Sequence, residues 1–144
     1  MKEKVFLIIN IATPILIGVV IYYLISPDVI FVKRIDEVFG KAIHIHCSST
    51  NSLTLRFVRN YMPDMMWGYA LVFALHFILG NNTAELLKNF IIAFVFSAVI
   101  EILQLTSIVN GTFDVFDIIV EFLAEAAAVF IIKFYFLRGG TKEV

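Results

Sequence analysis

The chain has 144 residues, 60% of them hydrophobic, with a mean hydropathy of +0.92 and a formal net charge of −1. This apolar share is above that of an ordinary soluble domain, so we expect a single domain, residues 1–144, whose solvent is lipid. The near-neutral charge excludes the broad basic surface with which a nucleic-acid-binding protein neutralises phosphates.

Four apolar stretches are each close to the roughly 20 residues with which an α-helix crosses a bilayer. They cover Val5–Ile25, Asp64–Leu79, Leu86–Val109 and Asp114–Leu137. The first follows Lys2 and Lys4, as in a signal peptide, but it has no small-residue cleavage site, so we interpret it as a retained helix. The sequence therefore predicts an all-α membrane protein with four transmembrane helices.

The long loop between the first two predicted helices, residues 26–63, begins with a helix-start pattern. Ser26, Pro27 and Asp28 provide a cap, a proline for the first turn and an early acid. Four apolar residues then recur at three-to-four spacing, Phe31, Ile35, Val38 and Phe39. This spacing predicts a short amphipathic helix, ended by Gly40, that lies on the membrane surface.

The second half of this loop changes to a period of two. Apolar and polar residues alternate over 43–46 and again over 53–57, on either side of a polar turn at 48–52. This alternation predicts a small β-hairpin. His44 and His46 lie on one side of such a strand, near the single Cys47, but four ligands are not present, so a zinc site is disfavoured.

Acidic residues inside the predicted helices are the most informative feature. An ionised side chain at the centre of a membrane helix costs roughly 2.5–3.5 kcal/mol on insertion scales, so such residues are usually functional. Steps of three, four and four place the acids of the fourth helix on one face: Asp114, Asp117, Glu121 and Glu125. The third helix repeats this spacing with Ser97, Glu101 and Gln104.

Three predicted helices bring these residues to one side of the membrane. The connections 80–85 and 110–113 are short, so the last three helices should be antiparallel neighbours. The start of the second helix at Asp64, the end of the third near Glu101 and the start of the fourth at Asp114 therefore meet. Arg56 and Arg59 precede Asp64, where they would pair with carboxylates or hold an anionic head group.

The same acids also have structural interpretations. Asp64 and Asp114 are placed to satisfy backbone N–H groups at helix starts. Glu101, Asp117 and Glu121 would join helices if protonated or hydrogen-bonded. The lysines before the first helix favour cytoplasmic N- and C-termini, because the first helix often sets orientation, although basic residues are almost evenly divided between the two sides.

Three blocks resemble the VanZ-like membrane protein family, over roughly residues 59–128. They are Pro63-Asp64-Met-Met-Trp67-Gly-Tyr69, Glu101-Ile-Leu-Gln104, and Thr112-Phe-Asp114-Val-Phe-Asp117 with Glu121. The resemblance implies a bacterial inner-membrane protein of four or five helices, in a family whose name-giving member is associated with low-level teicoplanin resistance. Gly111 stands where many members have arginine, and Glu121 where asparagine is usual.

Two functions follow from these observations. The first is a carboxylate-lined pocket that binds an envelope lipid, a glycopeptide or a partner helix. The alternative is an acid/base or divalent-cation-dependent enzyme acting on a lipid-linked head group. Proton-coupled transport is weaker without paired repeats, unless a homo-oligomer provides them. The pocket carboxyl groups in either function are Asp64, Glu101, Asp117 and Glu121. The residues placed to contact a ligand are Arg56, Arg59, Trp67, Gln104 and Asp114.

Overall fold

The structure, a computed structural model, describes residues 2–25, 30–39, 53–79, 85–106 and 112–139, and this part of the chain is helical without strands. Its helices are α1 (Lys2–Ile25), α2 (Ile30–Phe39), α3 (Leu53–Asn60), α4 (Met62–Leu79), α5 (Leu86–Leu103) and α6 (Val115–Gly139). The predicted all-α class is confirmed, as is the short helix on the first loop, which is α2.

Three helices, α1, α4 and α5, are long and apolar enough to cross a membrane. The fourth predicted span corresponds to α6, which has 25 residues but does not meet this criterion. The physical reason is charge, because every 18-residue stretch of α6 contains three or more charged residues. The prediction of four membrane-spanning helices is thus confirmed for α1, α4 and α5. Helix α6 is long enough, but its charged residues exclude it by composition.

The predicted hairpin is wrong over residues 53–57, which belong to α3. Leu53, Phe57 and Tyr61 are spaced by four, so the same residues that alternate over a short window also form one side of a helix. The Tyr61 N–H donates to the Phe57 carbonyl at 2.9 Å and the Met65 N–H to the Tyr61 carbonyl at 3.0 Å, which leads α3 directly into α4. Residues 43–52, with His44, His46 and Cys47, lie outside the described residues, as do 26–29 and Gly40.

Helix α4 is central, because it contacts α1, α3, α5 and α6. A Cβ atom built on Gly18 of α1 would lie 3.6 Å from Met66 Cβ and 3.8 Å from the Pro63 carbonyl oxygen of α4. On the opposite side, a Cβ built on Gly68 would lie 3.7 Å from Glu121 Cα of α6. The two glycines therefore let α1 and α6 approach α4 closely, as small residues do between membrane helices.

The core of the bundle is apolar and lies away from the acidic end. It contains Leu7, Val72, Phe73, Leu86, Ala93, Ala128 and Ile132. Polar contacts also fasten α1 to α4: the Tyr69 hydroxyl donates to Asn10 Oδ1 at 2.7 Å, and Asn10 Nδ2 donates to the Phe6 carbonyl at 2.9 Å. Phe6 in turn stacks on Tyr135 of α6, with ring centroids 3.7 Å apart.

Candidate ligand-binding site

Five acids from three helices converge at one end of the bundle, and we call them the carboxyl cluster. They are Asp64 of α4, Glu101 of α5, and Asp117, Glu121 and Glu125 of α6. Asp64, Glu101, Asp117 and Glu121 lie within electrostatic range of one another, and Glu125 within range of Glu121. The start of α4, the end of α5 and the start of α6 thus meet, as the alternating helix directions require.

Two side chains of α5 orient two of these acids. Gln104 Nε2 donates to Glu101 Oε1 at 2.8 Å, within the same helix. Ser97 Oγ donates to Glu125 Oε1 at 2.9 Å, from α5 to α6. Glu101 is 5% exposed and Glu125 is fully buried, so both carboxyl groups face the interior of the bundle.

Several carboxyl oxygens of the cluster are buried and accept no hydrogen bond from the described residues. They are Glu101 Oε2, Asp117 Oδ1, Glu121 Oε2 and Glu125 Oε2. A buried polar atom without a partner is expensive, so it normally has a partner such as water, a proton or a ligand. These four oxygens are therefore free to accept hydrogen bonds from a ligand.

Asp114 has a mainly structural role beside the cluster. Its Oδ1 accepts from the Phe116 backbone N–H at 2.9 Å, which caps the start of α6. Its Oδ2 accepts from the Tyr61 hydroxyl at 3.2 Å, which ties the α3–α4 junction to α6. Partial desolvation and this hydrogen bond to the carboxylate raise the pKa of the Tyr61 phenol above its ordinary value. The helix-start interpretation of Asp114 is thereby confirmed.

Of the two roles predicted for Arg56 and Arg59, pairing with the acids is not seen among the described residues, and holding an anionic head group stays a prediction. Arg59 Nε instead donates to the neighbouring Asn60 Oδ1 at 3.1 Å, and neither arginine forms an ion pair with a described carboxylate. A contact between adjacent residues costs less conformational entropy than holding a long arginine side chain across the bundle. Arg56 is exposed and lines a cavity of about 600 Å³ along α3 that also includes Phe57 and Tyr61.

Three aromatic residues lie around the start of α4 and the end of α1: Trp67, Tyr22 and Tyr61. Trp67, expected beside the acids, is 46% exposed, and its Nε1 lies 3.6 Å from a Cβ built on Gly18, so it packs towards α1. Tyr22, near the end of α1, lies within electrostatic range of Asp64 and Glu101. Tyr61 was missed altogether, although it precedes Asp64 by only three residues.

A divalent-cation site receives no support from this geometry. Among the described residues, no group of three or more His, Cys, Asp or Glu side chains is arranged to hold a metal ion. The cluster is instead spread along the helices, because Glu125 follows Asp117 by eight residues, about 12 Å of helix. Its arrangement suits several separate hydrogen bonds better than one compact coordination sphere.

A second polar pair lies at the other end of the bundle. His76 of α4 and Asn89 of α5 are fully buried, and their side-chain nitrogen and oxygen atoms have no hydrogen-bond partner among the described residues. The His76 ring packs edge-on against Phe136, with centroids 5.5 Å apart. Along α4, the buried Val72 lies between His76 and the cluster, and along α5 Ala93 lies between Asn89 and Ser97.

Comparison with known proteins adds no family to these observations. The VanZ-like resemblance stays a prediction based on the three blocks quoted above. No protein-family model, curated protein or solved structure matches this chain.

Proposed function

We propose that this chain is a cell-envelope membrane protein whose carboxyl cluster binds the polar head group of a lipid. In this proposal α6 crosses the bilayer beside α4 and α5. Its 25 residues extend about 37 Å, enough for a hydrocarbon core of about 30 Å. Its acids face protein rather than lipid: Glu125 is fully buried, and Asp117 and Glu121 are partly buried.

The observation that carries the proposal is the set of unpartnered oxygens on Glu101, Asp117, Glu121 and Glu125. Ionised carboxylates only accept hydrogen bonds, so a complementary ligand must supply N–H or O–H donors. Sugar hydroxyl groups and ammonium groups meet this requirement. Charge-assisted hydrogen bonds of this kind are stronger than neutral ones, which favours a ligand that engages several acids together.

The cavity along α3 suggests the other half of the ligand. Arg56 lines it, and a guanidinium group binds phosphate through paired hydrogen bonds. Tyr61 lines the same cavity and donates to Asp114 at 3.2 Å, so the cavity adjoins the start of α6. We therefore propose a lipid-linked sugar phosphate, with its phosphate at Arg56 and its sugar at the carboxyl cluster.

The cellular setting of this proposal comes from the VanZ-like resemblance and from charge distribution. The resemblance implies a bacterial inner membrane, and the lysines before α1 favour cytoplasmic termini. The end of the carboxyl cluster at Asp64 and Asp117 then lies in the outer leaflet, where an envelope lipid intermediate or a glycopeptide would reach it. Teicoplanin tolerance is accordingly a phenotype to measure.

The proposal is tested by lipid binding to the purified protein in detergent, measured by native mass spectrometry. The probes are a polyprenyl pyrophosphate bearing an amino sugar and the same lipid without sugar. Arg56→Gln should weaken both by about tenfold, since it removes one charge-assisted contact. Arg59→Gln, on the same helix but outside the cavity lining, is the matched control and should change neither.

The acids should distinguish the two probes. Asp117→Leu should reduce binding of the sugar-bearing lipid only, and Asp117→Asn should retain most of it, because the amide keeps one acceptor oxygen. Equal binding of both probes to wild-type protein would contradict the proposal that the carboxyl cluster binds the sugar. An unchanged affinity in Arg56→Gln would contradict the proposal that Arg56 binds the phosphate.

Acid/base catalysis on the same head group is the second candidate function. The observation in its favour is that Gln104 orients Glu101 through one oxygen and leaves the other free, an arrangement typical of a positioned proton donor or acceptor. An enzyme would lose turnover in Glu101→Gln and Asp117→Asn while still binding the lipid. Cells expressing Asp117→Asn at wild-type levels should then accumulate a lipid-linked intermediate and change in teicoplanin tolerance, whereas a binding protein should show neither effect.

A further inference from the structure

A groove between α5 and α6 runs along α6 from Phe122, at the depth of Glu121 and Glu125, to Leu137, towards the end of the bundle opposite Asp64. Its volume is about 630 Å³. The lining side chains are mostly apolar and include Leu86, Leu87 and Phe90 of α5 with Phe122, Ala126 and Val129 of α6. Leu87 is 67% exposed, so the groove opens to the outside of the bundle. In a membrane protein this surface faces the acyl chains of the bilayer.

One charged residue, Lys133, is part of this otherwise apolar lining. Its side chain is exposed and forms no ion pair with a described acid. Lys88, another lysine at this end of the described bundle, instead lies 3.9 Å from Glu85 Oε2. An ammonium group in a groove without a nearby carboxylate attracts an anion, and lysine side chains at membrane depth extend towards the head groups.

The position of Lys133 along α6 agrees with the depth of a lipid head group. From Phe122 to Lys133 there are 11 residues, about 16 Å of helix, which is close to half of the roughly 30 Å hydrocarbon core. An acyl chain lying along the groove from Lys133 would therefore end near Phe122, at the middle of the bilayer. The groove matches one leaflet in length.

We propose that this groove is a binding site for an anionic phospholipid, with one acyl chain between α5 and α6 and the phosphate at Lys133 Nζ. The apolar lining provides contact with the chain, and Lys133 provides selection for a negative head group. This site is separate from the carboxyl cluster, and the two proposals share only the premise that α6 crosses the bilayer. A second copy of the chain packed into the groove would also cover its apolar lining, but it would give the charge of Lys133 no role.

The test compares phosphatidylglycerol with phosphatidylcholine of identical acyl chains, added to the full chain in detergent and counted by native mass spectrometry. The wild type should prefer phosphatidylglycerol by about fivefold, the factor expected for one basic residue near an anionic head group. Lys133→Gln should abolish this preference and Lys133→Arg should keep it. Lys88→Gln, the matched control, should also keep it, because Lys88 already has an acid beside it.

Filling the groove provides an independent measurement. Ala126→Phe should lower binding of both lipids, since the added ring occupies the path of the acyl chain. The quantity compared here is the total amount of bound lipid, not the preference between the two lipids. Several results would overturn the proposal: no preference in the wild type, equal loss in Lys88→Gln and Lys133→Gln, or undiminished lipid binding in Ala126→Phe. A wild-type dimer that Ala126→Phe converts to a monomer would assign the groove to a second copy instead.

Discussion

The hydrogen bond between Ser97 and Glu125 should hold α5 and α6 together. Ser97 Oγ donates to Glu125 Oε1 at 2.9 Å, and the two side chains are 7% and 0% exposed. Hydrogen bonds between membrane helices contribute about 0.6 kcal/mol on average and up to about 1.7 kcal/mol. Ser97→Ala also leaves a second oxygen of Glu125 without a partner, and an unsatisfied buried acceptor costs about 1–3 kcal/mol. We therefore expect Ser97→Ala to lower the free energy of unfolding by about 1–2 kcal/mol.

A double-mutant cycle separates this bond from simple loss of the hydroxyl group. Glu125→Leu replaces the acceptor with an apolar side chain, and in that background Ser97→Ala should have a much smaller effect than in the wild type. Equilibrium unfolding in mixed micelles containing sodium dodecyl sulfate gives the four free energies. A coupling energy within about 0.3 kcal/mol of zero, the usual scatter of independent sites, would refute the reasoning.

Four further predictions concern hydrogen bonding, packing, capping and topology. Tyr69→Phe should destabilise the protein by about 1 kcal/mol in the same assay, because it removes the 2.7 Å bond to Asn10 that joins α4 to α1. Gly68→Ala should be tolerated, since its Cβ would meet Glu125 Cγ at 3.4 Å, whereas Gly68→Leu should cost about 1–3 kcal/mol by separating α4 from α6. Asp114→Ala should lose about 1 kcal/mol with the α6 cap, and Asp114→Asn should lose much less; equal losses would contradict the capping role. Alkaline phosphatase fused to the C-terminus should be inactive in cells, and activity there would reverse the proposed orientation.

The convergence of the acids could be predicted because it depends on helix geometry alone. Residues three and four apart share a helix face, and short connections make neighbouring helices antiparallel, so Glu101 and Asp117 had to approach from facing ends. The hairpin failed for a related reason. Over five residues, the alternation of a strand and the four-residue spacing of a helix both place residues 53 and 57 on the same side. The sequence of 53–57 therefore does not distinguish a strand from a helix.

Contacts between distant segments could not be predicted. Tyr61 reaches Asp114 across 53 positions, and Tyr69 reaches Asn10 across 59, and no local pattern indicates either partner. The arginines were predicted either to pair with carboxylates or to hold an anionic head group, and among the described residues neither pairs with a carboxylate. Arg59 instead bonds with the adjacent Asn60, and Arg56 lines a cavity. Charge indicates which partners are compatible, but side-chain reach decides which are used.

The apolar layer between the two polar ends has an electrical consequence. Val72 of α4, Ala93 of α5 and Ala128 of α6 are fully buried, and Val72 and Ala93 lie between the acids and the buried His76 and Asn89 along their helices. Moving one elementary charge across the full membrane voltage involves about 2.3 kcal/mol per 100 mV, and most of that drop falls where the dielectric constant is low. In the proposed membrane setting, this apolar layer would therefore carry much of the voltage drop. It would also keep the ionisable side chains at the two ends from forming a continuous path for ions.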